Sequence, residues 1–323
     1  MKINTALSTL GITNPIVYGC MGLGGGWNQN PVSAQDVQQA HAVVDTLLDQ
    51  GINFIDHADI YTFGKAEVVF GKVLKERPEL ADQLVLQSKC GIRFEDHLGP
   101  GRYDFSKEWL ESSVDGILER LGIQHLPILL LHRPDPLMSA EEVGDTLNKL
   151  KETGKVGGFG VSNMSAAQMD LIQQHLNTKL IANQMELSLS KLDWIDDGVM
   201  HNVGSDKSVS FPSGTLEYCI KHEVQLQAWG SLSQGLFTGR DNSDQSSNVQ
   251  QTSAVVNELS HLYGVSKEAI VLAWLMKHPA NVMPVIGTTN LDRIRACNEA
   301  TSVNLSREHW YKLYVTSRGE VLP

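Results

Sequence analysis

The sequence predicts an α/β fold, a (β/α)8 TIM barrel with a short N-terminal hairpin and extra C-terminal helices. Three observations predict it. Short apolar runs alternate with amphipathic segments along almost all of the 323 residues. Eight such runs are found, and eight is the number of parallel strands that closes into a packed barrel. Polar and titratable residues recur at the C-terminal end of run after run, where a barrel has its open mouth.

The elements follow in order. PIVYGCMGL (15–23) reads as the first strand, and Ser33 opens a helix with Asp36 three residues later as a capping box. That helix runs to about Gln50 and stops at Gly51. NFIDHA (53–58) is the second strand, followed by a helix over roughly 64–76. LVLQSKC (84–90) is the third, with a helix over roughly 106–121. LPILLLH (126–132) is the fourth, and its unbroken apolar character suits a strand buried on both faces. Ser139 with Glu142 caps the next helix, which ends near Gly154. VGGFGVSN (156–163) and LIANQME (180–186) are the fifth and sixth strands. A helix over about 214–222 leads to VQLQAWG (224–230), the seventh, and VMPVIGT (282–288) is the eighth. Helices near 253–262, 266–278, 290–300 and 306–317 fill the C-terminal part.

An open doubly wound sheet is the rival, and its mark is G-x-G-x-x-G between a strand and a helix. Gly22-Leu23-Gly24-Gly25-Gly26 comes nearest, but Trp27 stands at the third glycine position and the helix starts several residues later. A flexible βα loop fits better. The longer connections 187–212 and 239–251 follow strands and so belong to the C-terminal rim, where long loops often carry function. No interdomain linker is visible, so residues 1–323 are expected to form one domain.

Apolar residues make up 41% and charged residues 20%, which excludes global disorder. A net charge of −11 excludes bulk attraction to nucleic acid or an anionic membrane, while leaving room for a local cationic pocket. Cys20, Cys90, Cys219 and Cys297 form no CxxC pair, as expected of reduced thiols in a cytoplasmic protein. The N-terminus lacks the apolar core of a secretory signal, and the longest apolar stretch, Leu126–Leu131, is too short to span a bilayer.

The polar residues at strand ends are Asp56, Lys89, His132, Ser162, Asn163, Gln184, Trp229, Gly287 and Thr288, with Tyr61 in the loop after the second strand. Each alone has a bland reading: a snorkelling lysine, a satisfied core histidine, a packing tyrosine. Together in one apolar mouth they need partners, because a buried polar group left unpaired costs about 1–3 kcal/mol. Tyrosine titrates near 10, and a nearby ammonium favours the phenolate. Lys89 can supply that cation and so ready Tyr61 to donate a proton. Asp56 would hold Lys89 in place, and His132 would orient a substrate carbonyl. No side chain can deliver a hydride, so a nicotinamide is implied.

These residues resemble the aldo-keto reductases. N-F-I-D-H-A-D-I-Y (53–61), L-Q-S-K (86–89), L-L-L-H-R-P-D (129–135), G-V-S-N (160–163), N-Q-M-E (183–186), Q-A-W-G-S-L-S-Q-G-L-F-T-G (227–239) and M-P-V-I-G-T-T-N (283–290) match that family in order and spacing. The chain looks most like the bacterial oxidoreductases of the subgroup related to potassium-channel β subunits. The resemblance implies Asp56, Tyr61, Lys89 and His132 as catalytic residues. It implies NADPH held by Ser162, Asn163 and Gln184 at the carboxamide, and by Trp229, Gly230, Ser231, Leu232 and Gly235 from ring to pyrophosphate. Gly287, Thr288, Thr289 and Arg293 would lie at the 2′-phosphate. Some members carry a lysine where Gly287 stands, and Ala296-Cys297 replaces a Glu-Asn pair that often contacts adenine. The implied partner is a small carbonyl substrate, and the chain is expected as a monomer or weak homo-oligomer. Two rivals are a non-enzymatic NADP(H)-binding regulatory subunit on the same fold, and a metal-dependent hydrolase using His57, Asp59 and His132.

Overall fold

The computed structural model describes residues 2–203 and 208–323. Helix α1 (Thr5–Thr9) comes first, then β1 (Val17–Gly19), α2 (Ala34–Asp49), β2 (Phe54–Asp56), α3 (Lys65–Glu76) and β3 (Val85–Cys90). A small pair, β4 (Ile92–Arg93) and β5 (Arg102–Tyr103), precedes α4 (Lys107–Leu121) and β6 (Leu126–Leu131). Next come α5 (Ala140–Glu152), β7 (Val156–Ser162), α6 (Ala166–Gln173), β8 (Ala182–Glu186), α7 (Asp193–Val199), α8 (Thr215–His222) and β9 (Gln225–Trp229). The chain continues through α9 (Ser247–Tyr263), α10 (Lys267–Met276), β10 (Met283–Ile286), α11 (Leu291–Asn298) and α12 (Arg307–Arg318). Eight strands close in the order β1-β10-β9-β8-β7-β6-β3-β2, every neighbouring pair parallel. The predicted barrel is therefore present.

Local signals set the helices. Ser33 and Asp36 form the reciprocal capping box that opens α2, and Ser165 with Gln168 does the same for α6. Ser139 caps α5 through the Glu142 amide, while the Glu142 carboxylate instead accepts from the Lys107 amide. The loop at 22–26 is no phosphate cradle. Gly24 adopts φ +82°, and a Cβ there would lie 2.7 Å from the Lys65 backbone, so this turn is wedged against the start of α3.

Three expectations need correction. The short N-terminal hairpin is replaced by α1, capped by the Asn4 side chain, and the two-stranded hairpin (β4–β5) lies in the loop after β3. Packing explains the helix, since Leu7 and Ile12 join Val17, Phe54, Val85, Ile128, Leu130, Ala182 and Met283 in one buried cluster. They plug the N-terminal floor of the barrel. The 187–212 connection is not wholly irregular, because α7 lies inside it, although residues 204–207 fall outside the described residues. In the 239–251 stretch, α9 already begins at Ser247.

Strand periodicity positions the site. Successive side chains alternate between the barrel interior and the helix layer. In β3, Val85, Gln87 and Lys89 point inward, whereas Leu86 and Cys90 join the cluster shared with the helices. Toward the C-terminal end the inward residues change from apolar to polar.

Candidate active site

Asp56 ends β2 and Lys89 lies one residue from the end of β3, so their side chains meet inside the barrel. Lys89 Nζ donates to Asp56 Oδ1 and Oδ2, both at 2.7 Å, to the His57 carbonyl at 2.8 Å and to Tyr61 Oη at 3.0 Å. Both members of the ion pair are about 1% exposed, so solvent does little to screen them. Asp56 also accepts from Gln87 Nε2 at 2.6 Å and Gln184 Nε2 at 3.2 Å. Gln227 closes the layer, accepting from Gln87 and Gln184 at 2.9 Å each and donating back to Gln87 Oε1 at 2.9 Å. This carboxylate is thus multiply bonded, as a buried charge must be.

Tyr61 opens a short 3₁₀ turn after β2, and its ring stands edge-on to His132 with centroids 6.1 Å apart. Burial pushes the Tyr61 phenol above its usual value, while Lys89 pulls it down without prevailing. The net direction corrects the expectation of a lowered phenol: burial outweighs Lys89, and the proton is held more firmly than on a free tyrosine. Burial works against the Lys89 ammonium, but Asp56 and Tyr61 outweigh it and hold the ammonium pKa above that of an ordinary lysine. Burial, with Lys89 and Arg133 adding to it, holds His132 well below the usual imidazole range, so its ring is neutral at pH 7.

The next strand ends supply amides. Asn163 sits in the left-handed region at φ 58°, where asparagine is among the better tolerated side chains. Its Nδ2 donates to Ser162 Oγ at 2.8 Å, and its Oδ1 accepts from Trp229 Nε1 at 3.1 Å. Ser162 Oγ donates to the Gln184 carbonyl at 2.9 Å. The indole is therefore fixed in orientation from below.

These groups line a cleft of about 650 Å³ at the C-terminal mouth. The structure brings Asp56, Tyr61, His132, Ser162, Asn163, Gln184, Trp229, Gly230, Ser231, Leu232, Gly235, Gly287, Thr288 and Arg293 to its wall. Lys89 lies behind that wall, reached through Asp56 and Tyr61. Thr289 is not on the wall; its methyl packs beside Gly22, where an added Cβ would come within 3.3 Å. Asn298, one place beyond the replaced pair, donates to Gln50 and so ties α11 to the end of α2.

Sequence reasoning missed Gln87 and Gln227, although inward alternation from Lys89 and from Trp229 marks both positions. It missed Arg133, which lines the cleft beside His132, and Glu268 on α10, whose Oε1 lies 4.0 Å from Arg293 Nε. Glu268 sits in a helix rather than at a strand end, so the rim rule could not reach it. Met21, Trp27 and Ile60 add apolar surface at the entrance. Of the rival hydrolase set, His57 faces the helix layer, its ring 4.8 Å from that of Phe70. Among the described residues no three His, Cys, Asp or Glu side chains gather as a metal site.

A sequence profile described as the Aldo/keto reductase family matches residues 15–314. The chain belongs to the aldo/keto reductase family. It is 34% identical over 315 residues to a 6-dehydroglucose reductase of Agrobacterium fabrum, covering 94% of each chain. It is 33% identical over 302 residues to the oxidoreductase YdhF of Escherichia coli, covering 92% of this chain and 91% of that one. The glycerol dehydrogenase of Gluconobacter oxydans shares the fold, with a TM-score of 0.76 at 23% identity over 95% of this chain and 92% of that one. An aldo-keto reductase from Klebsiella pneumoniae, solved in complex with NADPH, superposes with a TM-score of 0.68 at 22% identity, covering 93% of this chain and 89% of its own. This aldo/keto reductase is an oxidoreductase, as its relatives are named. No helix among the described residues is long and apolar enough to cross a membrane.

Proposed function

We propose that this aldo/keto reductase reduces an aldehyde or ketone to an alcohol with NADPH, Tyr61 donating the proton. One observation carries the reading: Lys89 Nζ stands 3.0 Å from Tyr61 Oη while both Asp56 oxygens hold it. A phenol kept protonated by burial, yet touching a fixed ammonium, is a proton donor whose anion is stabilised as it forms. His132, neutral, hydrogen-bonds the substrate oxygen and sets it toward Tyr61 Oη. Asp56 carries no proton in this scheme and serves to keep Lys89 charged and in register.

The cleft fits a dinucleotide by its chemistry. Trp229 offers a ring face already fixed by Asn163, suited to stacking on a flat heteroaromatic. Ser162, Asn163 and the side-chain oxygen Oε1 of Gln184 would hold a carboxamide. Gly230, Ser231, Leu232 and Gly235 would run along the pyrophosphate, and Gly287, Thr288 and Arg293 would surround an adenosine 2′-phosphate at the start of α11. Thr289 would support that end from behind. When bound, the nicotinamide supplies the hydride that no side chain can. The K. pneumoniae relative solved with NADPH supports this choice of cofactor.

Tyr61→Phe tests the reading. Turnover of NADPH with an aldehyde panel is expected to fall about 10²–10⁴-fold, while NADPH binding, followed by fluorescence titration, persists. Near-normal turnover in that variant removes Tyr61 from the reaction.

A further inference from the structure

The charged groups of the cleft do not all balance one another. Lys89 is held by Asp56, and Arg293 faces Glu268 at 4.0 Å. Arg133 is different. It follows His132 directly at the end of β6, lines the same cleft and is half-buried. Among the described residues it has no carboxylate or carbonyl partner, and its guanidinium instead lies 5.6 Å from the centre of the Trp229 ring. A stacked guanidinium keeps its planar fork of donors, and that fork matches a carboxylate. Trp27, on the cleft lining, meets Phe63 of the adjoining pocket edge-to-face with centroids 5.4 Å apart, giving an apolar wall beside the mouth.

We infer that Arg133 is a specificity-determining residue, and that the preferred substrates are carbonyl compounds carrying a carboxylate. The inference rests on the reductase reading above and names the substrate class for that site. A carbonyl oxygen at Tyr61 and His132 leaves the remainder of the substrate between the Arg133 guanidinium and the aromatic wall. Its carboxylate then pairs with a cation that the protein has left uncompensated. Placed beside the neutral His132, Arg133 also discourages a second positive charge at the reacting oxygen.

The test compares 4-carboxybenzaldehyde with its methyl ester, two aldehydes on one scaffold that differ in charge and by one methyl group. The native enzyme is expected to show a kcat/KM for the acid about 10–100-fold above that for the ester. In Arg133→Met the acid-to-ester ratio should fall to near one, and Arg133→Lys should recover part of it. Calorimetric titration of the NADPH-loaded enzyme with 4-carboxybenzyl alcohol gives a readout independent of turnover. Its Kd should weaken about tenfold or more in Arg133→Met. An acid-to-ester ratio near one in the native enzyme overturns the inference. So does an Arg133→Met variant that loses NADPH affinity and both aldehydes in equal measure, since Arg133 would then serve the cofactor. If neither aldehyde is turned over yet the alcohol binds with dependence on Arg133, the reductase reading fails and the anion site stands.

Discussion

The two ends of this barrel use the same inward-facing positions for opposite purposes. At the floor, Phe54, Val85, Ile128, Ala182 and Met283 pack with Leu7 and Ile12 into an apolar cluster, and the one amide beside it, Gln225, is bonded to Asn4. One step up the same strands, Asp56, Gln87, Lys89, Gln184 and Gln227 form a buried layer bound by hydrogen bonds and one ion pair. Apolar packing degrades gradually, because neighbouring atoms relax into part of a void. A dry ionic layer holds only while every member is satisfied. The floor supplies stability by packing alone, and the upper layer fixes a buried ion pair beneath the cleft at a stability risk.

The sharpest way to break this contrast is to injure each layer once. Lys89→Met should cost about 3–5 kcal/mol, because Asp56 is left buried without its cation, and should abolish turnover. Leu7→Ala, in the floor, should cost about 2–5 kcal/mol while kcat per folded molecule stays near normal. Denaturant unfolding with parallel assays decides, and loss of turnover in folded Leu7→Ala would show that the two layers are not separable.

A smaller effect concerns the open rim, where charges are neither dry nor tightly held. Arg293 is 56% exposed and Glu268 only 12%. Arg293→Ala should weaken NADPH about tenfold and NADH little, as expected when one charge-assisted contact to a phosphate is lost. Glu268→Gln should act in the opposite direction on NADPH, by removing a carboxylate that competes for Arg293. Comparable losses for both cofactors in Arg293→Ala would place its contact away from the 2′-phosphate.

A further effect, read through pH, lies on the outer face of the wall. Burial, helped by Lys89, drives His57 down to about 3, and neither of its ring nitrogens has a partner. An unfolded histidine titrates near 6.5. Between those values the unfolded chain binds more protons, so stability falls as pH falls from about 6.5 toward 3. His57→Phe should flatten that decline between about pH 6.5 and 5, by roughly 2 kcal/mol at the lower end. Unchanged pH dependence of thermal melting in the variant would show that His57 does not govern this window.

The strand ends were legible because a buried parallel strand leaves a continuous apolar signature with a polar residue where it emerges, as at Lys89, His132 and Asn163. Ser33 with Asp36 announced α2 by a local bond that needs no tertiary context. The N-terminal segment was misread because nothing local distinguishes a turn of helix from a hairpin in so short a stretch. The barrel floor selects the helix through Leu7 and Ile12. Gln87 and Gln227 passed unnoticed because glutamine is usually a surface residue. The lowered phenol expected for Tyr61 failed for a related reason, since the depth of burial that opposes Lys89 is set by the whole mouth rather than by the motif.

The plug at the floor has a consequence for how the chain reaches its final form. Asn4 bonds the backbone at Ile181 and Glu223, and its amide donates to Gln225 Oε1. Lys2 donates to Asn281. The segment around Asn4 therefore completes its contacts only after about 220 further residues have been made, and such distant pairings form late. Closure of the barrel beneath the Asp56–Lys89 pair is thereby tied to residues far along the polypeptide, Glu223, Gln225 and Asn281.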